Sequence, residues 1–192
     1  ITPINMANGM ATTGETQLLP GFGLLGLIDD LAEIIGQQFV SQTRFDPQRR
    51  ADTEQTLYEQ IPILLQALAT QSEVSCSVEG HTARISADAL RTVGQRLSAA
   101  LAPLIPADTS CIALDSLLSS LPGLSLSSKQ DQPLRTQAIS PDAILPSATH
   151  LSRDNDELVF RRQVACTGAS QSDTAAPQTR AADKPLASNY LI

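Results

Sequence analysis

Apolar positions along the chain switch between helical and strand spacing, and the switches mark out its elements. Leu24, Ile28, Leu31, Ile35 and Phe39 follow one another at three or four residues, which places them on one face of an amphipathic helix over about 24–42. Before it, Ile1 to Met6 and Thr12 to Leu18 flank Asn8-Gly9, the dipeptide that best tolerates the positive φ angles of a tight hairpin. After it, Asp46-Pro47 offers a capping oxygen followed by a proline at a first helical position, where its missing N–H costs nothing. A second helix is expected from there, with Ala51, Leu57, Ile61, Leu64 and Leu68 on its apolar side and Pro62 kinking or interrupting it.

Two short β-type runs, Glu73 to Val78 and His81 to Ile85, join across Glu79-Gly80 and predict a second hairpin. Ser86 can cap a third helix carrying Leu90, Val93, Leu97, Leu101 and Leu104, which Pro103 and Pro106 should end. Cys111 to Leu114 reads as a short buried strand running into Asp115–Leu124, a loop or helix start with a Pro-Gly turn. Ser140-Pro141-Asp142 opens a short helix through Leu145, and Glu157 to Ala165 is a late strand. From Thr167 to Asn189 large apolar residues almost vanish in favour of Ala, Ser, Thr, Gln and Pro. Such a composition cannot offset ordering entropy by burial, so residues 167–192 are read as a flexible linker or tail. Tyr190-Leu191-Ile192 would open an element that follows. The domain reading is one α/β lobe over 1–166, with a helical subdomain at about 24–105. The chain also lacks an initial methionine and opens directly into a strand-like run, which reads as a piece of a longer protein.

Composition narrows the function classes. With 192 residues and 42% hydrophobic content, one substantial core can form. A net charge of −7 without a Lys/Arg stripe argues against nucleic acid, whose phosphates need a basic footprint. The longest apolar stretches are broken by Asp29, Asp30, Glu33 and Gln66 well short of a span of about 20 residues, so no membrane partner is expected. The first residues do not form a secretory signal, and the expected setting is cytoplasmic. Cys76, Cys111 and Cys166 are scattered and lack a C-x-x-C pair, which signals buried reduced thiols rather than a disulfide framework or zinc ribbon.

Candidate chemistry is sparse. His81 and His150 do not stand at a metal-ligand spacing. Asp29, Asp30 and Glu33 could form an acid–base cluster, although on an amphipathic helix such residues form the solvated face. The serines at 116, 119, 120, 125, 127 and 128 include no G-x-S-x-G elbow, and Gly21-Phe22-Gly23 lacks the third glycine of a phosphate loop. The densest polar stretch is FVSQTRFDPQRRADTEQTLYEQ, residues 39–60, where Arg44, Asp46, Arg49, Arg50, Asp52 and Glu54 crowd the join between two helices. It is a plain inter-helix turn, a partner-binding tip or the remnant of a ligand site. As a turn, it sets Arg44 near the negative end of the first helix and Asp46 at the positive end of the second.

GLIDDLAEIIGQQFV, RFDPQRRADTEQTLYEQ, ISADALRTVGQRLSAALAPLI, LPGL and SPDAI occur in an order that resembles lobe II of the nucleotide-binding domain of heat-shock-70 (DnaK-like) chaperones and their actin-like relatives, over about Ile1 to Leu145. The resemblance implies a ribonuclease-H-like α/β lobe with a mostly helical upper subdomain. It also implies nucleotide contacts that this chain lacks. The family's adenosine-holding Glu-x-x-Lys-x-x-x-Ser falls on Pro62, Leu65 and Ala69, and its phosphate-side Gly-Gly falls on Asp115 and Ser116. A carboxylate there would repel phosphate, and a Cβ would block the backbone's approach. The family's remaining catalytic groups belong to lobe I or to a strand before Ile1.

The expectation is therefore a structural or protein-interaction module without catalytic residues, metal or cofactor, whose partner-facing candidates are Arg44, Asp46, Arg49 and Arg50. Nucleotide-exchange partners often grip this upper subdomain in the related chaperones. The alternative is the nucleotide-closing lobe of a larger heat-shock-70-like ATPase, with ATP held only if a separate lobe I supplies the site. An unrelated α/β domain is the third reading. Oligomeric state is left open.

Overall fold

The computed structural model describes residues 1–127, 133–140, 142, 162–165 and 188–191. The chain is mixed α/β. Strands β1 (Pro3–Ala7) and β2 (Met10–Thr13) form the first hairpin, with Asn8 at φ 52° and Gly9 at φ 73° turning it where the sequence places the turn. Helices α1 (Leu24–Thr43) and α2 (Ala51–Leu68) follow, then the hairpin β3 (Glu73–Val78) and β4 (His81–Ser86), and α3 (Ala87–Leu101). Strand β5 (Thr109–Asp115) leads into the single-turn α4 (Ser116–Ser119), and β6 (Arg135–Ile139), β7 (Gln163–Ala165) and β8 (Ser188–Leu191) complete the described elements. Among the described residues no helix is long and apolar enough to cross a membrane.

The upper part is a three-helix layer on a two-stranded sheet. Helix α1 turns Leu27, Leu31, Ile35 and Phe39 inward, α2 turns Leu57, Ile61, Leu64, Leu65 and Leu68, and α3 turns Leu90, Val93 and Leu97. These meet Cys76 and Val78 of β3 and Ala83 and Ile85 of β4 in one cluster. The face of α1 is rotated from the expected one: Leu27 is buried while Leu24 is 52% exposed. On α2, Ala51 is exposed and Thr53 is buried instead. Helix α2 runs unbroken through Pro62, whose ring nitrogen cannot donate to the carbonyl of Tyr58. Tertiary packing of the flanking Ile61, Leu64 and Leu65 offsets that missing bond.

Two glutamines hold the β3–β4 hairpin onto the helices. The amide of Gln42 on α1 donates to the Arg84 carbonyl at 2.8 Å and accepts from the Arg84 N–H at 2.8 Å, so it pairs with the outer edge of β4 as another strand would. Gln60 on α2 donates to the Ser77 carbonyl at 2.7 Å and accepts from the Cys76 thiol, covering the edge of β3.

The lower part is a six-stranded sheet in the order β6-β5-β8-β1-β2-β7, parallel at β6-β5-β8 and antiparallel from β8 to β7. Its described core is small: Ile105, Ile112 and Leu126, with Ile1, Leu101, Leu114, Leu124 and Leu134 packed around them. Strand β8 departs from expectation, because Ser188 to Leu191 form a strand where a linker was expected. They pair with β1 and β5 inside the sheet. The helix expected from Ser140 through Leu145, most of the strand expected over Glu157 to Ala165, His150, Cys166 and the linker over 167–187 lie wholly or largely outside the described residues.

The two parts touch where α3 meets the Pro122–Gly123 turn. A Cβ at Gly94 would stand 2.3 Å from the Pro122 carbonyl oxygen and 2.5 Å from the Leu124 nitrogen, so only glycine allows this approach. Ser98 completes the contact by accepting the Ser125 N–H at 2.9 Å.

Candidate functional site

The junction between α1 and α2 is built from its ends inward. Arg44 closes α1 in the left-handed region at φ 62°, its N–H bonded to the Val40 carbonyl at 3.1 Å. Asp46 then accepts from the Gln48 N–H at 3.0 Å, but the turn it caps is a 3-10 turn over Pro47–Arg49 rather than the start of α2. Helix α2 begins at Ala51, after extended Arg50. The second helix therefore starts four residues later than the Asp46-Pro47 signal suggests, because the buried Pro47 opens a 3-10 turn over Pro47–Arg49 and extended Arg50 separates that turn from α2. The Thr53 hydroxyl donates within reach of the Pro47 carbonyl at 2.6 Å and the Arg50 carbonyl at 3.0 Å, fastening the turn to the first turn of α2.

Two contacts fix this tip to the β3–β4 turn. Phe45 stacks on His81 with ring centroids 4.2 Å apart and planes 4° from parallel, and it meets Phe39 edge-on at 6.4 Å. Arg50 pairs with Asp52 and reaches Glu79 at 3.1 Å, where Glu79 sits at φ 49° in the hairpin turn. The charge of Asp52, then that of Glu79, pushes the Arg50 guanidinium above its already high ordinary pKa. Both pairs are exposed and contribute little to stability. They set orientation.

The four candidate side chains thus separate into two kinds. Asp46 caps and Arg50 pairs. Arg44 and Arg49 are exposed, and among the described residues neither has an ion-pair partner. The stacking of Phe45 on His81 and the two glutamine brackets have no periodic signature in sequence; only the third dimension brings them together.

The positions that resemble adenosine contacts are divided by the fold. Leu65 is 1% exposed in the helical core and Pro62 is half-buried, while Ala69 is exposed at the end of α2. Ala69 borders an open cleft of about 270 Å³ between the start of α3, at Ala87 and Arg91, and the Leu121–Gly123 turn. The charged group there, Arg91, pairs with Asp88. Asp115 ends β5 with its carboxylate turned onto its own chain, accepting from the Leu117 N–H at 2.8 Å and capping α4. Ser116 is the first residue of that turn, and its carbonyl accepts the hydroxyls of Ser119 and Ser120.

The acidic residues of α1 lie towards the surface and are engaged with neighbouring side chains. Asp29 accepts from the Tyr58 hydroxyl at 2.7 Å, Asp30 pairs with Arg96 at 3.2 Å, and Glu33 accepts from Gln37 at 3.5 Å. The hydrogen bond to Asp29, followed by burial, pushes the Tyr58 hydroxyl up to about 12. Burial pushes the Cys76 thiol up to about 11, away from nucleophilic use. Among the described residues no group of three His, Cys, Asp or Glu side chains could hold a metal ion. Comparison with protein-family models, curated proteins and solved structures finds no match to this chain.

Proposed function

We propose that the chain is a lobe of the heat-shock-70 and actin-like kind, ribonuclease-H-like in its sheet, that serves as a structural or protein-interaction module and has lost the nucleotide contacts of its helical subdomain. The order hairpin, two helices, hairpin, helix, strand and Pro-Gly turn supports the ancestry, as does a sheet that is parallel on one side and antiparallel on the other. Loss of the nucleotide contacts is supported by Leu65 lying in the core and by the Asp115 carboxylate being used as a helix cap.

The observation that carries the interaction role is the junction itself. Arg44 and Arg49 stand exposed and without ion-pair partners among the described residues, on a tip that Phe45, Thr53 and Arg50 hold in place from below. A rigid base under free guanidinium groups lowers the entropy lost when a partner binds. Exchanging both residues for Glu tests this. Proteins captured by the wild-type chain at matched concentration should be lost from Arg44→Glu/Arg49→Glu, with the unfolding midpoint unchanged. An identical set of captured proteins sinks the interaction role.

The alternative, a nucleotide-closing lobe of a larger ATPase, is favoured by the cleft beside Ala69 and Arg91. Calorimetry with ATP and ADP at millimolar concentration separates the two. The module reading expects no binding heat, and none after Asp115→Gly with Ser116→Gly. Micromolar binding by the unmodified chain overturns it.

A further inference from the structure

The tip of the first hairpin carries two groups that can react with each other. Ala7, Asn8, Gly9 and Met10 are all exposed, and Asn8-Gly9 is the one place in the chain where glycine follows asparagine. Asn5, Asn155 and Asn189 precede Met6, Asp156 and Tyr190 instead. Among the described residues the Asn8 carboxamide has no hydrogen-bond partner, and neither has the Gly9 N–H. A Cβ built on Gly9 meets nothing within 4 Å, so the space beside it is open. Only the turn itself keeps the two groups apart.

We infer that Asn8 is a site of self-modification: the chain deamidates there through a cyclic imide, and the product that lengthens the backbone loosens the β1–β2 hairpin. The Gly9 nitrogen gives its proton to water or hydroxide and attacks Cγ of Asn8. An N–C bond forms, the Cγ–Nδ2 bond breaks, and ammonia leaves with a proton returned by water. Water then opens the ring at one carbonyl or the other, leaving aspartate or isoaspartate at position 8. Overall one water enters and one ammonia leaves, and no further reactant is needed. Glycine is the residue that permits ring closure, because a Cβ on the attacking residue would crowd the attacked carbon.

The turn sets the rate. Asn8 stands at φ 52° in the left-handed region, where a ψ of about +47° points the Gly9 nitrogen away from the Asn8 side chain. Attack therefore waits for the tip to open. Opening disturbs little there, because no side-chain bond ties the tip down and the next pair, Ala7↔Met10, is itself exposed. Asn5 and Asn189, by contrast, face each other inside the sheet on strands that are paired on both sides.

The two products differ in consequence. Aspartate followed by glycine still makes the same turn. Isoaspartate routes the main chain through its side-chain carbons and adds one atom between Ala7 and Gly9, which a two-residue turn has no slack to absorb. The pairs Ala7↔Met10 and Met6↔Ala11 should then loosen. Strand β1 also pairs with β8, so the disturbance starts one strand from the centre of the sheet. None of this depends on the function proposed above.

Ageing the full chain under native conditions, with peptide mapping by mass spectrometry at intervals, tests the site. Asn8 should exchange amide for acid, with isoaspartate in excess and a rate that rises with pH, while Asn5 and Asn189 keep their amides. Urea should accelerate the change by releasing the turn. Gly9→Ala should slow it severalfold, in urea as well as in the folded chain. Because alanine at a φ of 73° strains the hairpin, Asn8→Gly is the second variant: it suits the same turn, has no amide to lose and should not age at position 8. Hydrogen exchange at Ala7 and Met10 should be severalfold faster in the isoaspartate fraction than in fresh chain, and unchanged in the aspartate fraction. Complete retention of the Asn8 amide in the folded chain, in the time that removes it from the unfolded chain, overturns the site. So does amide loss spread equally over Asn5, Asn8 and Asn189. Unaltered exchange in the isoaspartate fraction overturns the loosening of the hairpin.

Discussion

The helical part and the six-stranded sheet are assembled in opposite ways. Every element from α1 to α3 is contiguous in sequence and buries large side chains against its neighbours, with Ile35, Phe39, Leu57, Ile61, Ala83, Ile85 and Leu90 at 0% exposure. The sheet assembles strands from both ends of the chain around a described core of Ile105, Ile112 and Leu126, beside an apolar cavity of about 50 Å³. A part that buries its own apolar faces can hold its shape locally. A part closed by distant strands depends on each of them, because loop closure must precede the contacts that offset it.

The sharpest break in this comparison is a matched pair of truncations. Phe39→Ala removes a fully buried ring and should cost about 3–5 kcal/mol in denaturant unfolding followed by far-UV circular dichroism. Ile112→Ala empties a site that already borders a void, where fewer atoms are in contact, and should cost nearer 2 kcal/mol. Equal costs would mean that the two cores are equally well packed.

The contact between the parts comes next. Gly94→Ala drives a Cβ into the backbone of the Pro122–Gly123 turn and should cost roughly 1–3 kcal/mol. Hydrogen exchange should accelerate most at Leu124 and Ser125, whose amides lie at the contact. Uniform acceleration across α1 and α2 instead would show that α3 transmits the strain into the helical core.

A smaller effect is expected at the hairpin. Gln42→Ala strips two hydrogen bonds from the edge of β4 but leaves the Arg84 backbone open to water, so about 1 kcal/mol should be lost. Exchange at Arg84 should rise while that at Ala83 stays slow, since Ala83 faces Cys76 within the hairpin.

A further effect is alkaline and belongs to the helical part. Tyr58 holds its proton up to about 12 when folded, against an ordinary 10.0, and Cys76 up to about 11 against 9.0. A folded pKa above the unfolded one contributes stability that is complete below the unfolded value and is lost as pH rises through the folded one. Stability should therefore fall from about pH 9 to 11 through Cys76 and from about pH 10 to 12 through Tyr58. Tyr58→Phe should flatten the upper part of that fall in urea titrations; an unaltered profile would remove the Tyr58–Asp29 bond from the account.

Three local signals carried straight into the structure. Asn8-Gly9 and Glu79-Gly80 make their hairpins because adjacent residues must take positive φ, and Ser86 caps α3 because its hydroxyl reaches the Ala89 N–H three residues on. The helices follow from apolar spacing, though the choice of Leu27 over Leu24 on α1 does not, since either fits the period and only the position of the partner elements selects one. The candidate tip was legible as a crowd of charges, but not which charges are free. That division rests on Glu79, 29 residues beyond Arg50, and on the start of α2 at Ala51. Tertiary structure alone decided the passage of α2 through Pro62, the glutamine brackets, the removal of Leu65 from any ligand surface and the place of β8. Each joins residues distant in sequence, and a strand of four residues carries too short a pattern to name its neighbours: β1 and β5 do so only once folding has brought their edges face to face.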